Sequence, residues 1–260
     1  MLAQERKNKI IELVTTNKIV KVSELSELFH TTEVTIRRDL DELQSQKKLR
    51  RIHGGAIPVT SASRGFSQKE LSVRCPEEKK MIARCCINFI NDNDALLFDA
   101  STTALELIRL LAAGNKKNLT VVTNSFYAIE LLKDRTDFHL FQIGGQVSRN
   151  MNSTFGTLSA LVLRNIRVDK CFIGTSGIDI NFGYSDPILE DTTIKSEMLS
   201  ASKQKFVIAD HTKFNDSYIG KFADFSGTID YLITDHLPGG VDRDYIETNV
   251  NLIVAEEQDV

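Results

Sequence analysis

The sequence predicts an α/β protein in two parts: a small N-terminal unit of three helices and a β-hairpin, then a larger domain on a mainly parallel sheet. Three observations carry that prediction. The first sixty residues place apolar side chains at helical spacing and then run into a basic hairpin pattern with two glycines. From Ala95 onward, short continuous apolar runs alternate with helical segments. With 260 residues, 42% hydrophobic and 26% charged, the chain has room for two unequal cores and an ordinary globular composition. The boundaries read from pattern and composition are 1–58 for the first unit, 59–73 for a linker and 74–260 for the second domain.

The first helix runs from about Gln4 to Thr16, with Ile10, Ile11, Leu13 and Val14 at helical spacing. Ile19 to Val22 reads as a short extended piece, and Ser23 as the cap of a second helix reaching Phe29. HTT breaks the pattern, and a third helix runs from about Thr32 to Gln46. Two short helices around a tight break describe a helix-turn-helix. On the third helix, Ile36, Leu40 and Leu43 fall within roughly 60° of one another and must face the core. That leaves Val34, Thr35, Arg37 and Arg38 on the other sides, with Val34 and Arg38 most nearly opposite the core. A valine on such a face can meet a thymine methyl, Thr35 and Arg38 base edges, and Arg37 a phosphate; Thr32 joins them as a DNA-binding candidate. On an isolated helix the arginines would instead serve as solvated partners of Asp39, Asp41 and Glu42.

The segment C-terminal to this helix decides between the two roles. Lys47 to Pro58 holds two strand-like pieces around Gly54-Gly55, with Lys48, Arg50, Arg51 and His53 placed to reach a nucleic-acid backbone or minor groove. The two glycines read as the turn. Residues 1–60 carry 11 Lys and Arg against 8 Asp and Glu, while the remainder carries 21 against 27, so only this end favours a polyanion. The expected partner is double-stranded DNA.

The stretch VSELSELFHTTEVTIRRDLDELQSQKKLRRIHGGA resembles the N-terminal signature of the DeoR family of bacterial transcriptional regulators. TIRRDL and the closing R-x-HGGA are its specific parts. One departure is visible: the family's glycine between recognition helix and wing is replaced by Gln46-Lys47-Lys48.

Val59 to Val73 is small and polar and begins to order near Phe66. Pro76 suits the first turn of a helix through about Ile90, with Glu77 and Glu78 favourable there. The apolar runs are ALLFDASTT (95–103), LTVVTNS (119–125), FHLFQIGG (138–145), KCFIGTSG (170–177), KFVIADHTKF (205–214), YLITD (231–235) and NLIVA (251–255). Helical patterns lie between them at Thr103 to Leu111, Phe126 to Leu132 and Asp191 to Ala201. In open parallel sheets ligands bind at the carboxyl ends of strands. Asp99, Ser101, Thr102, Thr103, Thr123, Asn124, Gly144, Gly145, Ser176, Gly177, Asp210 and Lys213 are expected there. Ser101 to Thr103 open a helix whose free N–H groups suit a phosphate, and Lys213 adds charge. Each Ser, Thr or Asp alone would be an ordinary helix cap; five such strand ends on one edge argue for a site.

The family resemblance extends across these motifs: Asp99 to Thr103, Thr123-Asn124, Gly144-Gly145, Gly174 to Asp179 and Ala209 to Phe214. It implies a fold like ribose-5-phosphate isomerase and the CoA transferases, a phosphorylated-sugar effector, and a place near the cleft for Glu190 and Lys195. Ser101 stands where the family commonly has glycine.

Other classes are disfavoured. No run of about 18 apolar residues occurs, and MLAQERKNKIIELV lacks a signal peptide's apolar centre, so a cytoplasmic chain without a membrane partner is expected. The four cysteines and five histidines show no metal-ligand spacing, and no nucleotide fingerprint is present, so neither metal nor cofactor is expected. The reading is a repressor of a sugar-metabolism operon, a homo-oligomer of dimer or tetramer size and not an enzyme. The alternative is a sugar-phosphate isomerase-like enzyme with an accessory DNA-binding domain, for which Asp99, Asp210 and Glu190 supply the residue types.

Overall fold

A computed structural model describes residues 3–17, 20–46, 48–52, 54–58 and 66–255. The chain separates into two compact units, Met1–Ser61 and Ala62–Val260.

The first unit contains α1 (Ala3–Asn17), β1 (Val20–Lys21), α2 (Val22–Leu28), α3 (Glu33–Ser45), β2 (Leu49–Ile52) and β3 (Gly55–Pro58). Its core is Ile10, Val14, Val20, Val22, Leu25, Ile36, Leu40, Leu43, Leu49 and Ala56, all buried. The 3.6-residue spacing on α3 therefore faces inward as expected. His30 takes the left-handed conformation between α2 and α3, and Thr32 caps α3 by accepting from Thr35 N. Ser23 is not a cap: α2 begins one residue earlier, at Val22, whose side chain the core needs. The strands β2 and β3 form an antiparallel hairpin, and β1 pairs with the other side of β3. Gly55 is a strand residue rather than a turn residue. It pairs with Ile52 and Lys21, and a Cβ there would lie 2.1 Å from Val20 O. Gly54 alone shows the left-handed backbone of the turn, at φ +74°. Where the family has its glycine, Lys48 N–H donates to Leu43 O at 2.9 Å and closes the helix.

The second unit begins inside the segment read as linker. Ser67 makes a reciprocal capping box with Glu70 on α4 (Gln68–Ser72), and the buried Gln68 donates to Ala100 O. Then come α5 (Pro76–Cys86), β4 (Ala95–Phe98), α6 (Thr102–Ala113), β5 (Thr120–Thr123), α7 (Phe126–Leu132), β6 (His139–Gln142), β7 (Gln146–Ser148), β8 (Ser153–Phe155), α8 (Thr157–Arg164) and β9 (Val168–Ile173). The remainder is β10 (Gly177–Asp179), β11 (Gly183–Asp186), α9 (Leu189–Ser200), β12 (Ser202–Ile208), β13 (Gly220–Ala223), β14 (Tyr231–Thr234), α10 (Arg243–Asn249) and β15 (Asn251–Val254).

The seven apolar runs become the seven strands of one parallel sheet, in the order β15-β14-β12-β9-β4-β5-β6. Alternate residues feed the two faces. Leu96 and Phe98 pack with Ile82, Leu107, Ile108 and Leu132, while Leu97, Cys171 and Ile173 pack with Leu163, Ile194 and Met198. Phe98, Phe172, Phe206 and Tyr231 stack across four neighbouring strands at centroid separations of 5.6, 4.6 and 4.6 Å. The chain winds outward from β4 through β5 to β6, then returns to β9 and winds the other way. The strand order thus reverses between β4 and β9, where a crevice is expected. A smaller antiparallel sheet, β10-β11-β13, and the β7-β8 hairpin were not foreseen from the sequence. Among the described residues, no helix is long and apolar enough to cross a membrane.

Candidate functional site

On the first unit, Val34 is 72% exposed and the Arg38 side chain 83% exposed. Arg38 has only a 3.5 Å contact to Glu42, whereas Arg37 is held by Glu33 at 2.5 Å, one turn back. The hydroxyls of Thr32 and Thr35 lie 3.0 Å apart, which occupies both in the cap. Arg51 ion-pairs with Asp41 at 2.5 Å, and its backbone N–H donates to Gln44 Oε1, so the hairpin is tied to α3. Lys48 is exposed. The side chain of Arg50 and the whole of His53 lie outside the described residues. Asp39, offered by the sequence as a solvated partner of the arginines on its own helix, is instead buried and pairs with Arg6 of α1 at 2.5 Å.

On the second unit, the reversal point of the sheet opens into a cleft. The predicted residues Asp99, Ser101, Thr102, Thr103, Asn124, Ser176, Lys195 and Lys213 line it. Asp99 is tied from three sides. Its Oδ1 accepts from Ser101 N at 3.1 Å, its Oδ2 accepts from Gly174 N at 3.1 Å, and Lys195 Nζ stands 3.5 Å away. Burial pushes the Asp99 carboxyl up, opposed by Lys195. Lys195 Nζ also donates to Asp186 Oδ2 at 2.5 Å and Gly174 O at 2.8 Å. Burial works against this ammonium, but Asp186 and Asp99 outweigh it and hold it well above the usual lysine range. Asn124 Nδ2 donates to Thr154 O, which leaves its buried Oδ1 without a partner. Ser101 caps α6 by accepting from Ala104 N.

Six predicted residues do not line the cleft. Thr123 is fully buried and accepts from Ser125 N, making the turn after β5. A Cβ at Gly145 would meet Ser159 Oγ at 2.2 Å, and Gly144 O accepts from that same hydroxyl, so the pair packs α8 against the sheet. A Cβ at Gly177 would meet Asp216 O at 2.5 Å, which makes it a close-approach glycine of β10. Asp210 is fully buried and caps the short turn His211–Lys213, with its Oδ2 3.6 Å from Lys213 Nζ. It acts on Lys213 rather than on the cleft. Burial opposes ionisation of Asp210, but Lys213 and Thr212 hold its carboxyl below the usual range.

Glu190 is exposed. The α9 residues that do reach the cleft are Asp191, Ile194, Lys195 and Met198, at i, i+3, i+4 and i+7. Glu190 is rotated off that face by about 100°. The spacing was available in the sequence and points to Asp191, not Glu190, as the companion of Lys195. The Asp191 side chain makes no hydrogen bond or ion pair among the described residues, and burial, partly offset by Lys195, pushes its carboxyl up to about 6. Lys79 and Asp186 also line the cleft without having been foreseen. Lys79 donates to Leu71 O and Arg74 O, both at 2.6 Å; burial and then the Lys213 charge lower its ammonium to about 8. Nothing in PEEKKM distinguishes it from a solvated helix lysine. Asp186 accepts from Ser176 N at 3.0 Å.

A winged helix-turn-helix in one unit and a cleft that brings charged and hydroxyl side chains together at the strand ends in the other define the class: a transcriptional regulator that senses a small molecule. Residues 6–62 match the DeoR-like helix-turn-helix domain and residues 74–236 the DeoR C terminal sensor domain. The chain belongs to the DeoR family of transcriptional regulators. It is 34% identical over 238 residues to the uncharacterized HTH-type transcriptional regulator YulB of Bacillus subtilis, covering 90% of each chain. It is 30% identical over 260 residues to the HTH-type transcriptional repressor GlcR of the same organism, covering 100% of this chain and 99% of that one. These relatives are regulators, and the enzyme alternative is set aside. Among solved structures, ribose 5-phosphate isomerase A of Methanocaldococcus jannaschii is similar over 54% of each chain, at 15% identity and a TM-score of 0.40.

Proposed function

We propose that this chain is a cytoplasmic, homo-oligomeric repressor whose operator affinity is set by a phosphorylated sugar held in the cleft. The orphaned acceptor Asn124 Oδ1 carries this reading, because a buried polar atom without a partner calls for a ligand donor. A sugar hydroxyl is such a donor. Lys213, the remaining N–H of Lys79 and the free amides of Thr102 and Thr103 line the same cleft and suit a phosphate. Asp99 and Lys195 act one step back: their bonds to each other and to Gly174 and Ser101 hold the two strand ends in place. Arg38 and Val34 read base edges, while Arg37, Lys48 and Arg50 meet phosphates. The name of GlcR, a repressor, supports repression as the sign of control. Two or more copies dock on repeated half-sites, and effector binding favours another arrangement of their DNA-binding units. A tenfold loss of operator affinity needs about 1.4 kcal/mol of coupling.

The test is fluorescence anisotropy with DNA from upstream of the chain's own gene and its neighbours, repeated across a panel of sugar phosphates and the matching free sugars. Salt-sensitive binding released by one phosphorylated compound and not by its free sugar is the expected result. Conversion of the compound without specific DNA binding would overturn the reading.

A further inference from the structure

Outside the cleft, one cluster is left unexplained by DNA or effector binding. His211 sits in the short turn after β12, and Asp235 and His236 directly follow β14, the neighbouring strand. Both imidazoles aim the same atom at one carboxylate oxygen: His211 Nδ1 is 2.6 Å and His236 Nδ1 3.0 Å from Asp235 Oδ2. The rings stack face to face with centroids 4.1 Å apart. Asp235 is only 1% exposed at its side chain, and its other oxygen accepts from His211 N at 2.7 Å and Thr234 Oγ1 at 3.2 Å. The carboxylate is therefore oriented by an outer set of donors, as ligating carboxylates are. The His236 side chain is 58% exposed, so one side of the cluster opens to solvent.

We propose that His211 Nδ1, His236 Nδ1 and Asp235 Oδ2 form a three-ligand site for a divalent transition-metal ion of the zinc class. The three donor atoms lie within 4.8 Å of one another. Two imidazoles and one carboxylate are a nitrogen and oxygen set that zinc, cobalt and nickel accept, with water completing the shell from the open side. Without an ion, His211 presents its Nδ1–H to this oxygen, and His236 Nδ1 stands beside it at 3.0 Å. A divalent cation takes the place of any proton held on these two nitrogens, which moves to the distal ring nitrogen or leaves to solvent. Ligands at 2.0–2.1 Å in a tetrahedral shell stand about 3.3 Å apart. Seating the ion thus opens the His211–Asp235 separation of 2.6 Å by about 0.7 Å and the His236–Asp235 separation of 3.0 Å by about 0.3 Å; the exposed His236 ring turns out of the stack to aim its lone pair at the ion, and the turn carrying His211 shifts with it. The sequence hides the site because its residues come from two separate runs, ADHTKF and LITDH, with no short-range spacing.

The experiment titrates Co²⁺ and then Zn²⁺ into the full-length, untagged chain after chelator treatment, read by visible absorption and calorimetry. One equivalent of metal, with d–d bands of a four-coordinate nitrogen and oxygen site and no thiolate charge-transfer band, is expected. His236→Ala, at an exposed position that folding does not need, should weaken binding by about tenfold or more. Asp235→Asn should do the same, and His139→Ala, at an exposed position on β6, should leave it unchanged. Absence of stoichiometric binding, a thiolate band, or equal affinity in His236→Ala and the unaltered chain would overturn the proposal.

Discussion

Lys195 Nζ lies 2.5 Å from Asp186 Oδ2 and closes a buried charge network that also holds Asp99 and the backbone of Gly174. The arrangement joins the carboxyl ends of β4, β9 and β11 through one side chain of α9. Removing the cation while keeping both carboxylates leaves buried charge uncompensated, a change that costs about 3–5 kcal/mol. Lys195→Met should therefore lower the urea midpoint of the effector domain strongly. Adding Asp186→Asn should recover part of the loss. If Lys195→Met alone is as stable as the unaltered chain, the network is not structural.

Asp191 gives a pH dependence of known sign. Its folded carboxyl is raised to about 6, above the ordinary 3.8. A raised carboxyl contributes stability below the unfolded value, and that contribution is lost as pH rises through about 6. Asp191→Asn removes the penalty paid at neutral pH, so it should stabilise the chain at pH 7.5, by at most about 3 kcal/mol, and have little effect at pH 4. Thermal melts of both proteins at the two pH values decide it. An equal difference at both would mean that Asp191 titrates normally.

The sheet was legible because each parallel strand is buried on both faces and is therefore written as an unbroken apolar run. The recognition helix was legible because Ile36, Leu40 and Leu43 keep strict helical spacing. The small sheet β10-β11-β13 was not, because GID, GYSD and GKFA are short, glycine-rich and set by tertiary contacts such as Gly177 against Asp216. Strand-end residues were found by type, and the cleft received Asp99 to Thr103 after β4 and Ser176 after β9, on either side of the order reversal, together with Asn124 after β5 and Lys213 after β12. Other strand-end residues, Thr123, Gly144, Gly145 and Asp210, went to turns and packing. Lys79 is invisible to any one-dimensional pattern, since its place depends on α5 folding over the end of α4.

Gly174 and Ser101 fit each other in a way that bears on the departure at position 101. A Cβ at Gly174 would lie 2.4 Å from Ser101 Cβ and 2.6 Å from its Oγ. Gly174→Ala should push the start of α6 off β9 and cost about 1–3 kcal/mol. In a Ser101→Gly background the obstructing atoms are gone, and the same alanine should cost less. A double-mutant cycle on denaturant midpoints measures the coupling. Additive costs would show that the two strand ends adjust independently.

Lys213 offers a test of whether sensing and DNA binding are separate. It lies in the cleft wall with its charge felt by Lys79 of α5, far in sequence from the helix-turn-helix, and its partner Asp210 is 3.6 Å away. Lys213→Met should leave operator affinity within about twofold and reduce the response to the phosphorylated effector by at least tenfold, roughly 1.4 kcal/mol. The free sugar, lacking the phosphate, should bind both proteins equally. Loss of operator binding with the response retained would reverse this division of labour.

Arg37 and Arg38 are adjacent in sequence but differ in how free they are to leave the helix surface. Arg37 is committed to Glu33 at 2.5 Å, so reaching a phosphate requires breaking an i, i+4 pair worth only a few tenths of a kcal/mol. Arg38 is the more exposed and has only the long contact to Glu42, itself engaged by Lys7. A guanidinium this unencumbered on the face opposite the core suits bidentate contact with a guanine edge. Arg38→Ala should cost about 1–3 kcal/mol on the preferred operator and flatten the preference at one base-pair position. Arg37→Ala should weaken binding to all sequences alike and reduce the dependence of log affinity on log salt by about one unit. Anisotropy titrations over a set of single-base operator variants at several salt concentrations distinguish the two. If Arg38→Ala lowers affinity uniformly and leaves every base preference intact, Arg38 is a phosphate contact and the base-reading role passes to Val34.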